Sequence, residues 1–144
     1  MQNSLPTGAG ASLPSPGALA GLVFLIFAPL HFFVPLEASI ALSGVTLALI
    51  GGAYIGFAAN ATQARVFWFE LMTAMGFGLV AVLGIWVHWI FLPLGLALHA
   101  GWDHLHHRPG FGAAVPKWYI PFCVIFDLLA AGFLLLLYGV VPLI

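Results

Sequence analysis

From residue 18 to near its C-terminus the chain is a succession of apolar runs, covering roughly 18–35, 38–59, 66–84, 86–106 and 118–142. Each is close to the length of about 17–25 residues that carries an α-helix across about 30 Å of hydrocarbon. The whole sequence holds three Lys/Arg and four Asp/Glu, 5% charged residues in all. A soluble domain carries about 25%, so no water-facing surface can be built from these side chains. Strands of a transmembrane barrel would alternate in polarity over about ten residues, and these runs do not alternate. The expected fold is an all-α, polytopic transmembrane bundle of about five helices. It forms a single domain over 18–144, behind a flexible tail at 1–17 rich in Pro, Gly and Ser.

The breaks between runs are short: Pro35 and Glu37, then Asn60 to Arg65, then Gly84 to Trp86. Only His107 to Lys117, with two prolines and two glycines, reads as a longer loop. Fusing 66–106 gives a four-helix alternative, but that one helix would be about 60 Å long, twice the hydrocarbon core. With five crossings, Arg65, Arg108 and Lys117 all fall on the side of the N-terminus, and Glu37 falls opposite. Positive loops stay in the cytoplasm, which places the N-terminus inside and the C-terminus outside. No Lys or Arg precedes the first run, so a cleaved signal is not expected. Trp86, Trp89, Trp102 and Trp118 lie near run ends, where an interfacial aromatic belt belongs. Gly51, Gly52 and Gly56 on the second run, and Gly76 and Gly78 on the third, suit close helix approach. A net charge of −1 argues against nucleic acid as a partner. The lone Cys123 leaves no disulfide within the chain.

Ionisable groups inside a membrane are costly and point to function. Glu70 lies one turn into the third run, and Asp127 about nine residues into the last. His99, Asp103, His106 and His107 occupy the final turns of the fourth. All are expected in the cytoplasmic half. Spacings of three and four residues put His99, Asp103 and His106/His107 on one helical stripe and leave His104 off it. Imidazole and carboxylate at i, i+4, i+7 are what several ligands need to reach one ion, and mixed N/O donors suit Zn, Fe or Mn. The metal ligands expected are therefore His99, Asp103, His106 and His107, with Zn or Fe as cofactor. Glu70 and Asp127 are the candidate general bases, or orient an imidazole. The competing reading has the histidines snorkelling to headgroups, Asp103 pairing Arg108 and Glu70 pairing Arg65. Tyr54 could donate to a buried carboxylate or serve packing alone. On the outer side, His31 and His88 form a possible haem pair, set against a plain interfacial role.

Several segments resemble a family of small bacterial polytopic membrane proteins of unknown function. They are Ala53-Tyr54-Ile55-Gly56-Phe57, Glu70, His99-x-x-Trp102-Asp103-x-x-His106-His107, and Val115-Pro116-x-Trp118-Tyr119-x-Pro121-Phe122-Cys123 followed by Asp127. The resemblance covers about 45–135 and implies a multi-pass protein of the bacterial inner membrane, without naming an activity. His-Glu-x-x-His of the membrane zinc proteases is absent. Six histidines are too few for the His boxes of membrane di-iron enzymes. Three His and an Asp loosely resemble the alkaline-ceramidase type of zinc amidohydrolase, with Thr73 the only deep hydroxyl at the right level. The first expectation is a metal-dependent hydrolase, or oxidase, acting on a lipid-like substrate taken from the membrane. The alternatives are a structural subunit of a larger respiratory or photosynthetic membrane complex, and a proton or ion carrier, for which a homo-oligomer would supply more helices.

Overall fold

A computed structural model describes residues 14–140 other than 107 and 109, so His107 and most of the expected tail lie outside the described residues. Five α-helices make up the described chain: α1 Pro16–Leu30, α2 Leu36–Ala58, α3 Ala64–Trp86, α4 Phe91–Leu105 and α5 Tyr119–Val140. No strand occurs among the described residues. Helices α2, α3 and α5 are long and apolar enough to cross a membrane. The protein is an all-helical membrane protein. With 15 residues each, α1 and α4 reach about 22 Å at 1.5 Å per residue, less than a straight crossing takes.

Helix ends follow local chemistry. The Ser15 hydroxyl accepts from the Ala18 backbone N–H at 3.3 Å, and Pro16 occupies the first helical position. Cap and proline together start α1 at 16 rather than 18. The helix ends at Leu30 rather than 35, one residue past Pro29. Pro35, which disfavours helical geometry in the residue before it, then caps α2. The break between α3 and α4 falls at 87–90, after Trp86. Gly84, expected as a breaker, stays helical because its bare Cα is where Leu92 packs; a Cβ there would meet Leu92 Cδ2 at 2.2 Å. Pro93 sits in the first turn of α4, where its missing N–H has no intrahelical acceptor to lose.

In the bundle α2 lies along α3, α4 along α5, and α1 on the far side of α5; α4 also touches α2 and α3. Leu47, Leu92, Leu96, Ala130 and Leu134 form a core with no exposed surface. Of the five glycines expected to serve close approach only Gly51 does so, its Cα facing Phe77. Gly52, Gly56, Gly76 and Gly78 face open space. The outer faces are apolar. Leu25, Leu49, Met72 and Leu136 are 64–71% exposed, an arrangement that suits lipid as the solvent. Trp86 and Trp118 are exposed as interfacial residues would be. Trp102 instead turns inward against the rings of Tyr54, His106 and Phe111.

Candidate metal centre

One turn separates His99 from Asp103 on α4, so both side chains project from one face towards α5, which contributes Asp127. All three side chains are fully buried. His99 Nδ1 stands 2.8 Å from Asp127 Oδ2 and 3.6 Å from Asp103 Oδ2. An ionised Asp127 accepts this bond from the Nδ1–H of His99. Tyr54, from α2, donates its hydroxyl proton to Asp103 Oδ1. His99 Nε2, Asp103 Oδ2 and Asp127 Oδ1 are buried without a hydrogen-bond partner.

One ligand-type atom from each of His99, Asp103 and Asp127 lies within 4.8 Å of the others. Ligands of a tetrahedral zinc site sit about 3.4 Å apart, given bonds of about 2.0–2.2 Å. The 3.6 Å separation of Nδ1 from Asp103 matches that edge. The 2.8 Å contact with Asp127 is a hydrogen bond, so an ion held on that side replaces the proton between them. Buried carboxylates need a counter-charge, a proton or a cation. Among the described residues the ion-pair partners of the three buried acids are His99 and His106, with no Lys or Arg.

Glu70 and His106 form a second pair beside this trio. His106 Nε2 lies 2.9 Å from Glu70 Oε1, which also accepts the Ala113 backbone N–H at 2.7 Å. His106 Nδ1 is 3.1 Å from the Trp102 carbonyl. A carbonyl only accepts, so Nδ1 bears a hydrogen and the Nε2–Oε1 contact requires a second proton. That proton lies between His106 Nε2 and Glu70 Oε1. Glu70 thus bonds to His106 and not to Arg65, and Asp103 to Tyr54 and not to Arg108; both arginines are exposed. The Tyr54 ring lies between the two groups, 5.7 Å from His99 and 4.8 Å from His106, centroid to centroid. The α4–α5 loop covers the pair. Gly112, at φ +71°, passes so close that a Cβ would stand 2.2 Å from Glu70 Oε1 and 2.4 Å from His106 Nε2.

The structure therefore gathers His99, Asp103 and Asp127 at one point and sets Glu70 with His106 a tyrosine ring away. His107 lies outside the described residues, and His104 is exposed on the far side of α4. The contributions of Gly112 and the Ala113 N–H escape a reading of side-chain motifs. Their only signal is Gly110-Phe111-Gly112, two glycines in a loop where positive φ is needed. His31 bonds to Ser39, while His88 is exposed and stacks on Trp89.

A helical membrane protein with a buried imidazole–carboxylate cluster at one end of its bundle is the class these features define. The chain belongs to a family of unknown function, DUF6010, which matches residues 16–139, from the start of α1 almost to the end of α5. It matches no curated protein and no solved structure.

Proposed function

We propose that the chain is a membrane metalloprotein that binds one divalent transition ion, zinc or iron, through His99, Asp103 and Asp127. The observation carrying this reading is the convergence of three fully buried ligand-type side chains within 4.8 Å. Among the described residues the trio's two carboxylates have only imidazole for a charge partner, and a divalent ion would neutralise them. Three protein ligands leave a fourth position open, the pattern of catalytic rather than structural zinc sites. His106 then serves beside the ion through Glu70 rather than as a ligand.

The chemistry that fits is hydrolysis. An ion of this kind lowers the pKa of bound water towards neutrality. Glu70, with Oε1 held by Ala113 and His106 and Oε2 unpartnered, would take a proton from water on Oε2 and return it from the same oxygen to the leaving group. The substrate class is lipid-like. An apolar groove of about 620 Å³ opens between α3 and α4, with Phe77, Leu98, Gly101 and Trp102 in its walls. Phe77 lies against His99, ring centroids 4.9 Å apart, so a chain in that groove would end next to the cluster. We place the protein in a bacterial inner membrane with this end in the cytoplasm, as the position of its basic residues suggests.

The test is turnover of ester- and amide-linked lipids by the purified protein in mild detergent, metal content measured in parallel. Glu70→Gln should keep the ion and lose about 10²–10⁴-fold in rate, the usual contribution of a general base. Unchanged turnover in that variant would remove Glu70 from the mechanism.

A further inference from the structure

The chain's three basic side chains, Arg65, Arg108 and Lys117, are all exposed at the end of the bundle where Glu70 meets His106. Of its four acids, Glu70, Asp103 and Asp127 are fully buried. The fourth, Glu37, opens α2 at the opposite end. A buried network lies there too, in which His31, Ser39, Ser43 and Tyr138 are linked by hydrogen bonds of 2.7–3.0 Å. The surface around Arg65 is therefore cationic, with no carboxylate exposed on it among the described residues. Arg65 has no ion-pair partner among them.

With Gln63, Phe69, Gly110, Phe111 and Gly112, the exposed Arg65 lines a cavity of about 220 Å³ between the start of α3 and the α4–α5 loop. The apolar groove of about 620 Å³ between α3 and α4 takes in Thr73, Gly76, Phe77 and Val80 of α3. Both openings use one face of that helix. At about 100° per residue, Arg65, Phe69, Thr73, Gly76, Phe77 and Val80 fall in one sector about 120° wide. The two meet at aromatic rings. Phe69 and Phe111 line the cavity and Trp102 lines the groove, with the three ring centroids 5.2–5.8 Å apart. Gly76 and Gly101 leave the groove open, with no atom within 4 Å of where a Cβ would stand. From Arg65 to Val80 the stripe is about 22 Å long at 1.5 Å per residue.

An unpaired cation at the head of a stripe whose remaining length is apolar describes a lipid with a negative head. We propose that Arg65 and its cavity hold the phosphate of an anionic phospholipid whose acyl chain lies in the α3–α4 groove. This deepens the reading of that groove as the lipid site and rests on it. A guanidinium grips phosphate through paired, charge-assisted hydrogen bonds, and the Gln63 amide offers a further donor. A zwitterionic head brings an ammonium as well, and no exposed carboxylate answers it at this end among the described residues. The groove in turn favours a lipid over a free phosphate ion, since burying the chain adds apolar contact.

The full-length protein, in nanodiscs of phosphatidylcholine, receives traces of phosphatidylglycerol or phosphatidylcholine with a diazirine in the acyl chain. Labelled positions are mapped by mass spectrometry of peptides. Phosphatidylglycerol should label residues 73–80 and 97–105 about fivefold more than phosphatidylcholine, the preference one cation gives an anionic head. Arg65→Gln should bring that ratio close to one. Lys117→Gln, which removes a charge from the same end but not from the cavity, should keep it. Gly76→Leu, which puts a side chain into the groove, should abolish the excess. Equal labelling of the native protein by both lipids would overturn the proposal. So would an excess that survives Arg65→Gln or Gly76→Leu in folded protein, or one that Lys117→Gln removes as fully as Arg65→Gln. The readout is binding and needs neither metal nor turnover, so this proposal and the hydrolase reading fail separately.

Discussion

At the scale of residues, Tyr54 holds the candidate centre in register. Its hydroxyl is the donor to Asp103, and its ring separates His99 from His106. Tyr54→Phe keeps the ring and strips the donor, leaving Asp103 Oδ1 buried without its tyrosine partner. That should cost about 1–3 kcal/mol, read as a lower thermal unfolding midpoint in mild detergent; an unchanged midpoint would deny the bond any structural weight. His99 and Asp103 are legible from their spacing alone, because i and i+4 must share a helix face. Asp127 is legible from its depth in an apolar run. The partner of Glu70 is not, since Arg65 lies within reach in sequence while His106 is brought to it by helix packing and a loop. No spacing rule encodes a backbone N–H delivered by a turn, which is how Ala113 reaches Glu70.

At the scale of elements, small residues decide how closely helices meet, and which glycines matter depends on the face each presents. Gly84→Ala forces a Cβ into Leu92 and should destabilise by about 1–3 kcal/mol through overpacking between α3 and α4. Gly76→Ala, on the same helix but facing open space, should be neutral or stabilise by about 0.5–1 kcal/mol through helix propensity. Comparing the two unfolding midpoints checks the assignment, and equal effects would contradict it. The five helices are legible because run length and hydropathy suffice to define them. Their ends are less so. The expected break at Gly84 to Trp86 fails because glycine in a membrane helix marks packing as often as interruption, and Pro93 opens α4 instead.

Across the whole molecule, polar clusters sit at both ends of the bundle with an apolar plug between. Going along α5 from Asp127 to Tyr138, the buried side chains are Ala130, Ala131 and Leu134. Along α2 from Tyr54 to Ser43 they are Gly51, Leu47 and Gly44, and α4 adds Leu92 and Leu96. None can carry a proton, so the protein reconstituted in vesicles should show no proton flux above lipid alone under an imposed pH gradient. A flux abolished by Asp127→Asn would revive a carrier role. The plug separates the Tyr138 end from the end holding His99, Asp103 and Asp127. Those three side chains are the proposed ligands of the ion. Elemental analysis of protein purified in mild detergent without chelators tests this directly, beside folded His99→Ala and Asp103→Ala variants. About one equivalent of zinc or iron is expected in the native chain and near none in either variant, as removing one of three ligands should bring. Native protein free of metal, or variants that retain it in full, would show that these side chains do not hold an ion.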